Sequence, residues 1–439
     1  MFDALEPQVV AERRRMLQKY LDALVDAENV CEDRCVTHAL CKLHRCDFVM
    51  LCLSSDVLAF LGVAGSDVKP ATGQRLNASS LRDANEWLLL SQKAAAGERV
   101  RYLNNAGILL AEGGHDQDAI KAFTEARRVF QAGGVGRDLA AVVARNAGIL
   151  HCLLECTTLA AENLRSSLES AHACQQPDLQ VEALRCLALT AAANGDVSEA
   201  TSYCEVAIQF GLQVEDKSKL AECEYTLGVL RAASGEVRPA VESIEKALVR
   251  RRELRDRIGM AEALHRLGVT YADIGYDVRA TDYIEQALLL SEDSSDLRGQ
   301  ALSLSALGNV FLMQRDHHVA IEHFDRCLAC HAKLGDIGGQ AECFQSLGSL
   351  YYAIGDYQTS VRQFESALLF RQQQGDVKGE TECHKCMGAS LVRLGDAVGA
   401  VGSFRRCLEL ATQLGDDSIA VDALVSLGLA HFRAGMVCV

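Results

Sequence analysis

Leu347-Gly348-Ser349-Leu350-Tyr351-Tyr352-Ala353-Ile354-Gly355-Asp356, followed by Phe364 and Ala367, decides the fold because its spacing returns along the chain. Steps of forty residues from Gly348 land on Gly228, Gly268, Gly308, Gly388 and Gly428, and Leu227, Leu267, Leu307, Leu347 and Leu427 stand directly before five of these glycines. A second glycine follows seven residues later at Gly235, Gly275, Gly355 and Gly395, with Gly195 in phase and Arg315 as the exception. Alanine then recurs at Ala200, Ala240, Ala280, Ala320 and Ala400, and a bulky side chain comes four later, at Ile244, Ile284, Phe324, Phe364 and Phe404. Three beyond that sit small residues: Ala247, Ala287, Cys327, Ala367 and Cys407. A fixed period of this length reads as stacked helical hairpins. The small residues let two helices approach where a Cβ would hold them apart. The bulky ones fill the space between, each worth roughly 1.5–3 kcal/mol when fully buried.

The order L-G-x-x-Y, A-x-x-x-F, A resembles the tetratricopeptide repeat. The resemblance implies an all-α chain, a right-handed α-solenoid of tandem helix-turn-helix repeats. One departure is informative. The proline that usually closes the second helix is missing, its place taken by Arg252, Glu292, Ala332, Gln372 and Thr412. Without it the second helix need not stop there. It is predicted to run on to Gly335, Gly375 or Gly415 as a left-handed cap. Asp216, Asp256, Asp296, Asp336, Asp376 and Asp416 then accept from the first amides of the following helix. The joint Leu334-Gly335-Asp336-Ile337-Gly338-Gly339-Gln340-Ala341 resembles the style of the Pins/LGN adaptors, strongly over residues 216–435 and weakly over 98–215.

Upstream, Gly107, Ala119, Phe123 and Ala126 keep the repeat order, so residues 98–439 are expected to form about eight repeats and a terminal helix from Ser418 to Ala434 that shields the last apolar layer. Residues 1–97 read as an N-terminal helical region, a cap or a degenerate repeat, with Trp87 packing on the first clear unit.

The net charge of −15 repels phosphate backbones and argues against nucleic acid as a main partner. The first eighteen residues are charged and lack the apolar core of a signal peptide, and the apolar run 48–63 is broken by Ser54, Ser55 and Asp56. The 18 cysteines are therefore read as free thiols in a reducing, cytoplasmic setting. By analogy of repeat style, an association with cytoskeletal or ciliary assemblies is expected.

Two groups of residues carry possible chemistry. Cys31, Cys35, His38, Cys41, His44 and Cys46 place six soft donors close together, which suits zinc but also fits cysteines and histidines scattered over a helix. Cys327/Cys330 and Cys383/Cys386 form C-x-x-C pairs, yet Cys327 shares its repeat slot with alanines and Cys383 with Cys223 and Cys343, so cysteine reads as a small apolar residue. No nucleophile–base or carboxylate pair stands in a supporting context, and the chain is expected to be non-enzymatic and without cofactor.

Function is expected on a surface. The resemblance implies that first helices line a concave groove, and side chains at i, i+3 and i+7 share a helix face. That face carries Glu222, Tyr225 and Val229; Glu262, His265 and Val269; Leu302, Ser305 and Asn309; Glu342, Gln345 and Ser349; Glu382, Lys385 and Ala389. The leading position is acidic at Glu182, Glu222, Glu262, Glu342, Glu382 and Asp422. Such a wall suits a basic peptide or helix of a protein partner, or it merely complements helix dipoles. The Lys and Asn of a chaperone-tail clamp are not found together, since Ala389 follows Lys385 and Ser305 precedes Asn309. An alternative is a regulatory or metal-binding N-terminal module with the array as its targeting arm.

Overall fold

The computed structural model describes residues 78–433 apart from 113, 114, 134, 135, 155 and 215, and the elements among them are eighteen α-helices. The cluster Cys31–Cys46 lies outside the described residues. The first helix, α1 (Ala78–Ser91), precedes eight hairpins. These are α2 (Ala96–Glu112) with α3 (Asp116–Gln131), α4 (Arg137–Leu153) with α5 (Thr157–Ala173), α6 (Pro177–Ala193) with α7 (Val197–Val214), and α8 (Lys217–Ala233) with α9 (Val237–Glu253). The series continues with α10 (Arg257–Asp273) and α11 (Asp277–Asp293), α12 (Leu297–Met313) and α13 (His317–Leu334), α14 (Ile337–Ile354) and α15 (Tyr357–Gln374), and α16 (Val377–Leu394) and α17 (Ala397–Leu414). One further helix, α18 (Asp417–Arg433), follows in the first-helix place of the repeat. Helices pack on their chain neighbours and first helices also meet the first helix of the next hairpin, as tandem helical repeats require.

The glycine period works as its spacing predicts. A Cβ built on Gly308 would stand 2.8 Å from the Phe324 ring, and one on Gly348 would stand 2.9 Å from Phe364. At Gly228 it would meet the Ala240 carbonyl oxygen at 3.1 Å. Glycine is thus what lets these first helices sit against the bulky residue of their partners. Phe324, Phe364, Ile244 and Ile284 are enclosed, and the alanines at 240, 280, 320 and 400 are fully buried beside them. Trp87 of α1 lies over Tyr102 of α2 with ring centroids 5.2 Å apart.

The joints follow the same logic. Oδ1 of Asp216, Asp256, Asp296, Asp336, Asp376 and Asp416 accepts from amides two or three residues on, at 2.9–3.2 Å. Each such cap is worth about 1 kcal/mol. Gly335, Gly375 and Gly415 close their helices with φ of 69°, 71° and 69°. The structure adds what composition hid: Gln175, Arg255, Ser295 and Arg315 adopt the same left-handed backbone, with φ of 53°, 55°, 55° and 62°. Asp256 N donates to Arg251 O at 3.0 Å, just as Asp336 N donates to His331 O at 3.0 Å, so the closure is the same with or without glycine. Packing of the hairpins imposes the turn and overrides a local cost of about 1–2 kcal/mol.

Candidate functional site

Successive first helices meet, and several of the residues singled out from the sequence make contacts between them. Their contacts follow a second spacing. Arg145 pairs with Glu182, and Arg185 Nε lies 3.4 Å from Glu222 Oε2. Gln345 Nε2 donates to Glu382 Oε2 at 3.4 Å and Lys385 Nζ to Asp422 Oδ2 at 2.9 Å, each partner 37 residues on. One repeat less one helical turn brings the i+3 position of a first helix beside the leading position of the next. The face is therefore a ladder whose rungs tie neighbouring hairpins.

In the middle of the ladder Tyr225, His265 and Ser305 take the place that Arg145, Arg185 and Lys385 hold elsewhere. Glu262 is met instead from a second helix, by Arg251 Nη1 at 3.1 Å, and the Arg251 guanidinium carbon lies 4.6 Å from the centroid of the buried Tyr225 ring. His265, Ser305, Asn309, Gln345 and Ser349 are half-buried, Val229 and Val269 are buried, and Glu342 is exposed. Ser349 Oγ donates to the Gln345 carbonyl at 3.0 Å.

The acidic wall is thus not a row of bare carboxylates. Glu182, whose side chain is 16% exposed, faces both Arg145 and Lys219, while Glu222, Glu262 and Asp422 each have a cation beside them. Sequence reasoning missed Arg145, Arg185, Lys219 and Arg251 because it compared positions at the repeat period of forty. A search at an offset of 37 finds Arg145, Arg185 and Lys385 directly.

Two family models described as tetratricopeptide repeat match residues 263–298 and 299–373. This is a tetratricopeptide repeat array. Among solved structures, the apo form of RapI is 15% identical, covers 85% of this chain and 98% of that chain, and superposes with a TM-score of 0.55. The apo form of the quorum sensor NprR from B. thuringiensis is 12% identical over 76% of this chain and 97% of that chain, with a TM-score of 0.56. A Rap protein complexed with Competence and Sporulation Factor is 15% identical over 82% of this chain and 99% of that chain, with a TM-score of 0.47. No curated protein matches the chain. The family models, with the folds of RapI and NprR, support the repeat type and do not reach the Pins/LGN style.

Most cysteines of the tetratricopeptide array behave as small apolar side chains. Cys204, Cys223, Cys383 and Cys407 are buried. Burial pushes the Cys223 and Cys383 thiols up to about 12 and the Cys407 thiol up to about 11, which keeps them protonated and unreactive. Among the described residues no helix is long and apolar enough to cross a membrane.

Burial also acts on histidine. It holds His151, His323 and His384 below the ordinary imidazole value, with Arg406 adding to the effect at His384 and Arg326 at His323. The unfolded chain takes up these protons more readily than the folded one. Stability is therefore lost as pH falls through about 6.5 and toward the depressed folded values. Melting of the wild type and of His384→Gln, followed by circular dichroism between about pH 7.5 and pH 5.5, checks this: on acidification the wild type should lose stability relative to the variant. An unchanged slope in the variant would remove His384 as a contributor.

Proposed function

We propose that the tetratricopeptide array is a non-enzymatic scaffold that holds a peptide or helical segment of a protein partner against the ladder face. The observation that supports this is the change of character along the face. Arg145–Glu182, Arg185–Glu222 and Lys385–Asp422 satisfy one another at the ends. In the middle Tyr225, His265 and Ser305 replace those cations, so the face changes there from charged rungs to an aromatic ring and uncharged hydrogen-bonding groups. Because so many carboxylates already have cations beside them, the face suits a segment of mixed charge better than a purely basic one. Fold alone does not name the partner.

The test compares proteins co-purified with the wild-type chain, with Glu342→Lys/Glu382→Lys, and with Glu245→Lys/Glu285→Lys, which makes the same charge change at exposed positions on second helices. The ladder variant should lose its directly bound protein, and the residual binding should depend less on salt. The control should keep it. Equal capture by all three chains removes the ladder as the binding face.

A further inference from the structure

Two cysteines depart from the small-residue pattern. Cys327 on α13 and Cys343 on α14 bring their sulfurs to 3.3 Å across the joint between two hairpins. His331 lies one turn along α13 from Cys327, and one donor atom from each of the three residues falls within 4.8 Å of the others. Cys327 is fully enclosed, Cys343 is 4% exposed, and the His331 side chain is 16% exposed. The second ring contact of His331 is also defined: Nδ1 stands 2.9 Å from Asp336 Oδ2, while Asp336 Oδ1 accepts from the Gly339 amide at 3.1 Å.

The repeat supplies its own comparison. The slot of Cys327 holds Ala247, Ala287 and Ala367 in other units, the slot of Cys343 holds Ala263, Ser303 and Cys383, and the slot of His331 holds Arg251, Ser291 and Arg371. Among the described joints, this is the one where three soft donors coincide. The glycine after each joint belongs to the same arrangement. A Cβ at Gly339 would run into the His331 ring, as one at Gly259 would into Arg251 and one at Gly379 into Arg371. The imidazole is thus enclosed by backbone where other units enclose a guanidinium.

We propose that Cys327, His331 and Cys343 form a buried zinc site that staples α13 to α14, with Asp336 as the residue that orients His331. Two thiolates and an imidazole are a common zinc donor set, and three protein donors leave the fourth position to water or another small ligand. A carboxylate hydrogen-bonded to one ring nitrogen fixes the tautomer that presents the other nitrogen's lone pair to a metal. The sequence motif pointed elsewhere, to Cys327 with Cys330. Cys330 turns instead toward Gln300, its sulfur 3.9 Å from the side-chain oxygen.

The experiment uses the full chain, purified under reductant after growth with zinc, beside Cys327→Ala/Cys343→Ala and His331→Arg. Alanine occupies both cysteine slots at Ala247 and Ala263, and arginine occupies the histidine slot at Arg251 and Arg371, so each substitution uses a residue type the array already carries in that slot. Zinc content by elemental mass spectrometry should drop by one equivalent in each variant, and the difference cancels any metal bound at Cys31–Cys46. Cobalt titration of the zinc-stripped wild type should give a thiolate-to-cobalt charge-transfer band that is lost in Cys327→Ala/Cys343→Ala. Equal zinc content in the wild type and both variants, with helical circular dichroism unchanged, overturns the site.

Discussion

Gly268→Ala should lower the stability of the array by about 2 kcal/mol, in a helix interior where the same change ordinarily adds about 1 kcal/mol. The reason lies across the hairpin. A Cβ at 268 would meet the Ala280 carbonyl oxygen at 3.0 Å and the side chain of Ile284, which is fully buried. Backbone cannot swing aside as a side-chain tip can, so α10 and α11 must part. A control is built into the chain: a Cβ on Gly402, exposed on α17, meets nothing within 4 Å. Gly402→Ala should therefore stabilise by about 1 kcal/mol. Denaturant unfolding followed at the helical circular dichroism band checks both signs. Because each hairpin contacts its neighbours in a linear array, Gly268→Ala should also broaden or split the transition. Two alanine variants that behave alike would show that the glycine period does not mark close helix approach.

Phe324→Ala should cost more, about 3–5 kcal/mol, through lost burial and the cavity left behind. Phe324 is 1% exposed and its ring covers Gly308 of α12, with Ala320, Leu347 and Leu350 in the same cluster. It belongs to one hairpin yet touches the next, so both the pair and the joint loosen. Coupling with Gly308 separates packing from general disruption. The methyl of Gly308→Ala, unwelcome beside the ring, would enter the space that Phe324→Ala empties, and the double variant should lose less than the two single losses together, by about 0.5–3 kcal/mol. Strict additivity would mean that the ring and the glycine do not share one contact.

The hairpins, their lengths and their caps were legible because each depends on residues close in the chain. Gly348 with Phe364, Asp376 with the amide of Gly379, and the absence of proline at 372 act within one hairpin or one joint. A side chain in such a place meets the same neighbour in every unit, so its type recurs at the repeat period. The candidate face was half legible. Its positions came from helix periodicity, but the partners of Glu222, Glu262, Glu382 and Asp422 did not come with them.

What the sequence by itself determined is the unit: two helices, a glycine where they cross, a bulky residue over it and an aspartate opening the next hairpin. Tertiary structure decided what happens between units. It set Arg185 beside Glu222 and Lys385 beside Asp422, brought Cys343 rather than Cys330 to Cys327, and held Arg255, Ser295 and Arg315 in a backbone form their side chains disfavour. The physical reason is that stacking offsets one first helix against the next by about a turn. Contacts between successive first helices therefore fall at a spacing of 37, which repetition at forty does not display.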